Sequence, residues 1–139
     1  FDIILSSLAF HYIENYEEIV DKIHKLLKPG GYLVFSAEHP VFTAEGSQDW
    51  YYDENGKILH FPVDNYYYEG KRNAVFLGEP VTKYHRTFTT YVSVLLKKGF
   101  RLVDVEEPQP PEEMLDTVPG MKDEMRRPMM FLVSAQKEK

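Results

Sequence analysis

The first quarter of the chain contains the pattern that most restricts its fold. Residues 1–6 form a mostly apolar run with β-branched side chains, which predicts a buried strand. Apolar side chains then recur at helical spacing over residues 16–27, with Asn15 as the predicted N-cap. Pro29-Gly30-Gly31 ends that helix, and a second apolar run follows at residues 32–37. This strand–helix–strand order predicts a parallel pair of strands and therefore an α/β fold.

The composition limits the classes of protein that fit. A net charge of −6 disfavours a nucleic-acid-binding protein, which needs a concentrated basic face. The absence of cysteine excludes disulfide scaffolds and thiolate metal sites, and it is compatible with the cytoplasm, our predicted location. No run approaches the roughly 20 apolar residues of a membrane helix, and the five histidines lack metal-ligand spacing. We therefore expect no nucleic-acid, membrane or metal partner.

Residues 40–83 interrupt this rhythm and are rich in aromatic side chains. Asp53-Glu54-Asn55-Gly56 predicts a turn between two short strands. Residues 69–73 predict a second turn, between a strand at Tyr66–Tyr68 and another at residues 74–77. Because a structureless loop of this length is improbable in a compact domain, we expect an inserted antiparallel lid.

The regular pattern resumes after the lid. Apolar spacing predicts a helix from Phe88 to Leu96, with Gly99 as its C-terminal stop. Alternating apolar residues predict strands at 100–106 and 129–135, separated by a proline-rich loop. With the two strands near the start of the chain, these give four strands for one sheet.

Two segments carry a family resemblance. Residues 1–13, FDIILSSLAFHYI, and residues 27–36, LKPGGYLVFS, resemble the fourth strand and the turn into the fifth strand of class I S-adenosylmethionine-dependent methyltransferases. The resemblance is to the methyltransferase type 11 group, which is similar to enzymes of ubiquinone and menaquinone biosynthesis. Residues 84–88 and 96–100 resemble the helix and turn before the sixth strand, and residues 127–133 resemble the final, antiparallel strand. The resemblance implies a partial Rossmann-like sheet made of the last four strands.

The resemblance also implies that residues 1–139 form a single domain that is the C-terminal fragment of a methyltransferase. The family's Gly-rich cofactor loop is missing, since no two glycines have G-x-G spacing. We therefore expect the fragment alone to be inactive and to bind S-adenosylmethionine poorly. We also expect its first strand to be an exposed edge through which the chain self-associates.

The activity implied by the resemblance is methyl transfer from S-adenosylmethionine to a small-molecule acceptor. The cofactor-binding segment then follows the first strand and comprises Ser6, Ser7, Leu8, Ala9 and His11. An ordinary strand-to-helix turn is the alternative interpretation of this segment. His11 is as readily a structural histidine as a cofactor or substrate contact.

His39 and His85 are the candidate catalytic residues. His39 directly follows the second strand, at the carboxyl edge where doubly wound sheets bind ligands, and an imidazole there could accept a proton from a hydroxyl or amine. His85 lies where the lid rejoins the core. The alternative for His39 is a surface histidine before a proline turn. The alternative for His85 is a residue that anchors the lid.

Mainly aromatic side chains are the candidate contacts of the methyl acceptor, namely Trp50, Tyr51, Tyr67, Tyr84 and Arg86. Tyrosine faces favour a sulfonium cation, and an arginine could hold a carboxylate or phosphate. Packing of the lid accounts for the same residues equally well. A non-catalytic α/β ligand-binding or protein-interaction module, with the aromatic lid as its contact face, is therefore the alternative function.

Overall fold

The computed structural model describes residues 1–138 of the chain. In chain order the strands are β1 (Ile3–Ser7), β2 (Tyr32–Glu38), β3 (Tyr51–Tyr52), β4 (Ile58–His60), β5 (Gly70–Phe76), β6 (Glu79–His85), β7 (Phe100–Glu106) and β8 (Met130–Lys137). The α-helices are α1 (Tyr16–Leu26), α2 (Pro40–Thr43) and α3 (Phe88–Lys97). Short 3-10 turns lie at Phe10–Tyr12, Glu112–Met114 and Met121–Arg126.

Within residues 1–138, the main sheet has the strand order β1-β2-β8-β7. β1 and β2 are parallel, whereas β8 is antiparallel to both of its neighbours. β7 therefore runs in the same direction as β2, and the carboxyl ends of β1, β2 and β7 point to one edge of the sheet. The α/β fold and the antiparallel final strand are confirmed.

The Pro-Gly-Gly turn joins α1 to β2 and lies against the start of β1. Gly30 has a φ of 81°, a left-handed conformation that glycine adopts without penalty. A Cβ atom on Gly31 would lie 2.9 Å from the carbonyl oxygens of both Asp2 and Lys28. The amide of Tyr32 donates to that same Asp2 oxygen at 2.9 Å. Glycine at 31 is therefore required for β2 to begin beside β1.

The core lies on one face of the sheet, beneath α1 and α3. Alternate residues of β2 and β8 point into it, namely Leu33, Phe35, Ala37, Phe131, Val133 and Ala135. Tyr16, Val20 and Ile23 of α1 and Tyr91 and Leu95 of α3 complete this cluster. On the opposite face, Ile3 and Leu5 of β1 are 62% and 73% exposed.

The aromatic-rich insertion consists of two antiparallel hairpins, β3–β4 and β5–β6. The first is confirmed, but the predicted position of the second was wrong. Tyr66–Tyr68 are not a strand, and the second turn falls at Leu77-Gly78, where Phe76 pairs with Glu79. Leu77 and Gly78 have φ values of 52° and 80°, which suit a two-residue hairpin turn. No helix among residues 1–138 is both long and apolar enough to cross a membrane.

Replacing Gly31 by alanine should destabilise the chain by about 1–3 kcal/mol, because two backbone oxygens must move away from the new Cβ. The measurement is the free energy of unfolding in urea. Gly56→Ala measures the separate cost of a left-handed backbone, since Gly56 has a φ of 82° and no atom within 4 Å of the place where a Cβ would lie, whereas Gly31 does not have a positive φ. Unchanged stability of Gly31→Ala would contradict the steric explanation.

Candidate active site

The loop after β1 makes a strained turn at the carboxyl edge of the parallel pair. Leu8 has a φ of 50°, a left-handed conformation that is uncommon for leucine. Its amide donates to the carbonyl oxygen of Ser36 at 2.9 Å and lies 3.1 Å from the Ser36 hydroxyl. Ser7 and Leu8 are exposed, and Ser6 and Ala9 are half-buried. Backbone strain of this kind concentrates at functional sites, so the turn is a candidate ligand contact.

His11 follows the turn and is buried against the end of β2. Its Nδ1 accepts a hydrogen bond from the amide of Glu38 at 3.1 Å. A neutral ring therefore carries its proton on Nε2, which lies 3.9 Å from Glu38 Oε1. Burial lowers the pKa of His11 to about 4, against a smaller raising effect of the Glu38 carboxylate. His11 is thus a neutral side chain that links the loop after β1 to the end of β2.

A buried ion pair lies beside His11, and sequence analysis did not identify it. The Lys83 side chain is only 3% exposed, and its Nζ lies 2.9 and 2.8 Å from the two carboxylate oxygens of Glu38. Gln48 accepts from the same ammonium at 2.7 Å and donates to Glu38 at 2.7 Å. The pair fastens β6 of the lid to the carboxyl end of β2. The one signal available was an acidic residue at the end of a buried strand.

His39 caps α2, and both of its ring nitrogens have partners. Nδ1 accepts from the amide of Val41 at 3.0 Å, and Nε2 lies 2.6 Å from Glu107 Oε2. The ring stacks on Phe88 with a centroid separation of 5.9 Å. Burial lowers the pKa of His39, against a smaller raising effect of Glu107. Nε2 already carries the proton that it donates to Glu107, so accepting a proton from a substrate would require Nδ1 to release the amide of Val41.

His85 is likewise engaged through both nitrogens. Its Nε2 lies 2.7 Å from the carbonyl oxygen of Tyr66, which can only accept, so Nε2 carries the proton. Its Nδ1 then accepts from the Thr43 hydroxyl at 2.7 Å. Burial is the main cause of a lowered pKa for His85. These contacts join α2 to the lid and favour the anchoring interpretation.

Arg86 is buried, and its guanidinium donates hydrogen bonds to backbone carbonyl oxygens. Nη1 donates to Phe10 at 3.0 Å, and Nη2 donates to Ile13 and, at 3.2 Å, to Glu14. The guanidinium carbon also lies 5.2 Å from the ring centroid of Tyr16. Arg86 therefore holds the segment between β1 and α1, with little capacity left for a substrate anion.

The four aromatic side chains predicted to contact an acceptor do not line one cavity. Trp50 is half-buried and Tyr51 is exposed, with the Tyr51 ring stacked on His60 at 5.0 Å. Tyr84 lines a separate cavity of about 490 Å³, together with Arg86. Tyr67 is 85% exposed. Among residues 1–138, no three histidine or acidic side chains group as a metal site.

Comparisons with known proteins give one family match and several similar proteins. The family described as "Methyltransferase domain" matches residues 1–35. An uncharacterized protein of Haemophilus influenzae is 36% identical over 143 residues, which covers 99% of this chain and 54% of that protein.

Two solved structures are closely similar. A candidate S-adenosylmethionine-dependent methyltransferase from Listeria monocytogenes is 54% identical, with a TM-score of 0.94, over 100% of this chain and 62% of that chain. An S-adenosylmethionine-dependent methyltransferase from Mesorhizobium loti is 39% identical, with a TM-score of 0.87, over 99% of this chain and 62% of that chain. The chain thus spans between half and two thirds of the length of these relatives.

Breaking the Lys83–Glu38 pair should destabilise the chain. Lys83→Met leaves the partly buried Glu38 carboxylate without its cation, and we expect a loss of roughly 2–4 kcal/mol in the free energy of unfolding. Lys83→Met combined with Glu38→Gln should recover part of that loss. Lys122→Met is the control, because Lys122 pairs with Asp116 on the surface, where such pairs contribute less than about 1 kcal/mol. Equal effects at positions 83 and 122 would contradict this account.

The stability of the chain should fall as the pH is lowered from about 6.5 to about 4. In that range His11 binds a proton in the unfolded chain but stays neutral in the folded chain, because folding lowers the pKa of His11 to about 4. The contribution is at most about 3 kcal/mol. The free energy of unfolding in urea should depend less steeply on pH in the His11→Asn variant. Asparagine cannot bind the proton, but its side-chain oxygen can still accept the hydrogen bond from the Glu38 amide. His60→Asn, at an exposed histidine, is the control.

Proposed function

The chain has the fold of the class I S-adenosylmethionine-dependent methyltransferases, and from this premise we propose that it is the C-terminal part of an enzyme that methylates a small molecule. The observation that carries the proposal is the strained Leu8 turn at the carboxyl edge of β1 and β2. Doubly wound sheets bind their ligands at this edge.

The residues around the turn fit S-adenosylmethionine, the cofactor we propose. Ser7 presents a hydroxyl and Leu8 an apolar side chain at the surface, as an amphipathic ligand requires, and the small side chain of Ala9 follows them. When bound, S-adenosylmethionine supplies a methyl group on a positively charged sulfur. The task of Ser6–Ala9 is to hold that ligand, with the two Ser36 hydrogen bonds keeping the Leu8 backbone in place.

The remaining residues of the site act by positioning. Lys83 and Glu38 hold the β5–β6 hairpin over the same edge, and His11 fixes the loop after β1 against β2. Such a lid excludes water and orients two reactants, which is the main requirement of methyl transfer. Since His39 and His85 each have partners on both nitrogens, we favour positioning over proton transfer for these two residues.

The chain alone is proposed to be inactive. It has no G-x-G loop to cradle the cofactor, and Ile3 and Leu5 of β1 remain exposed. β1 is an edge of the main sheet within residues 1–138, so we also propose that the isolated chain self-associates through it. The cytoplasmic location stays a prediction from composition.

Calorimetric titration with S-adenosylhomocysteine tests the proposal. The titrated protein is the gene product that includes the sequence encoded upstream of Phe1, and this 139-residue chain is the control. We expect binding to the longer protein and at least tenfold weaker or no binding to the chain. A folded longer protein that binds no S-adenosylhomocysteine would contradict the methyltransferase proposal and favour the binding module.

A further inference from the structure

A second cavity of about 290 Å³ lies between α2, the first lid hairpin and the segment before β8. Apolar side chains form part of its wall, including Trp50, Phe61 and Val63. Among the described residues, its polar side chains are His60, Arg126 and Arg127. The volume is near the lower end of the range for small-molecule sites. A cavity with two guanidinium groups and apolar walls suits an anion with an apolar body.

Arg127 is the central group of this cavity. Its side chain is 7% exposed, and its guanidinium carbon lies 4.7 Å from the ring centroid of Trp50, 4.9 Å from Phe61 and 5.0 Å from Phe42. Aromatic rings attract a guanidinium through its flat faces. The N–H groups in the plane of the guanidinium therefore remain available for hydrogen bonds.

The hydrogen bonds of Arg127 are incomplete. Nη1 donates to the Glu124 carboxylate. Nε is buried and has no hydrogen-bond partner among the described residues. A buried N–H without an acceptor costs about 1–3 kcal/mol, and native structures seldom tolerate one without a reason. The missing acceptor points to a ligand oxygen, since Nε and Nη2 form the edge that binds carboxylate or phosphate bidentately.

Arg126 also lines the cavity, and its guanidinium is already paired. Its Nη1 donates to Asp123 at 3.1 Å and its Nη2 to the carbonyl oxygen of Leu59 at 3.0 Å. Its guanidinium carbon lies 5.1 Å from the Trp50 ring, so Trp50 contacts two cations. Because Asp123 pairs with Arg126 and Glu124 with Arg127, the recognition of an anion by this cavity depends mainly on the hydrogen-bonding edge of Arg127.

We propose that this cavity is a binding site for the carboxylate or phosphate group of a small apolar molecule, with Arg127 as its principal contact. The cavity lies at the same edge of the sheet as the Leu8 turn, because Val41 follows β2 and Arg127 precedes the antiparallel β8. An anionic methyl acceptor is its occupant. That assignment rests on the proposed function, whereas the binding of an anion does not.

Trp50 is the only tryptophan of the chain, so its fluorescence reports directly on the cavity. The probes are cyclohexanecarboxylate, inorganic phosphate and, as a reference at equal ionic strength, chloride. We expect a saturable change with at least one of the two oxyanions and none with chloride. Saturation by cyclohexanecarboxylate alone assigns a carboxylate ligand, and saturation by phosphate assigns a phosphate ligand. No saturable change with either oxyanion overturns the proposal.

Three variants test whether Arg127 binds the oxyanion. Arg127→Lys keeps the charge but removes the planar fork, and we expect at least tenfold weaker binding. Arg101→Lys is the matched control, because Arg101 lies on β7 and donates to Gln136. Glu124→Gln removes the competing carboxylate and should tighten binding several-fold, which keeps the test decisive if Arg127→Lys does not fold. Unchanged affinity in the folded Arg127 and Glu124 variants overturns the role of Arg127.

The two proposals fail separately. Oxyanion binding without S-adenosylhomocysteine binding to the longer protein would keep the anion site and remove the methyltransferase function. S-adenosylhomocysteine binding without a Trp50 response to either oxyanion would keep the enzyme and overturn the anion site.

Discussion

The parallel pairing of β1 with β2 is the constraint on which the rest of the structure depends. Five residues pair in register, from Ile3 opposite Tyr32 to Ser7 opposite Ser36. This register brings the loops after both strands to the same level, so Leu8 can hydrogen-bond to Ser36 and His11 can accept from Glu38. Gly31 permits the pairing, because any side chain there would collide with the start of β1.

Burial determines the charge state of the groups along this edge. Burial lowers the pKa values of His11, His39 and His85, so these histidines are neutral in the folded chain at neutral pH. The Lys83 side chain lies in the interior with its Nζ beside the Glu38 carboxylate, and carbonyl oxygens surround Arg86. The edge is therefore a preorganised scaffold with few free proton acceptors, which suits a reaction governed by the orientation of two bound molecules.

Local sequence signals predicted most of the main sheet and its helices correctly. The N-cap at Asn15 accepts from the Glu18 amide at 3.0 Å, and helical spacing and glycine turns fixed the approximate bounds of α1 and α3. The second lid hairpin was misplaced because Leu77 is not a usual turn residue. Its positive φ follows from the pairing of β5 with β6, which no local signal records.

By itself the sequence determined the order of strands and helices, the α/β class and the segment that resembles a cofactor loop, because periodicity, caps and turns act over a few residues. Only the tertiary structure decided which groups meet at the site. Lys83 reaches Glu38 across 45 residues of chain, and Arg127 lies among rings contributed by α2 and the lid. Such contacts depend on how the lid packs on the sheet, and packing brings together residues that are distant in sequence.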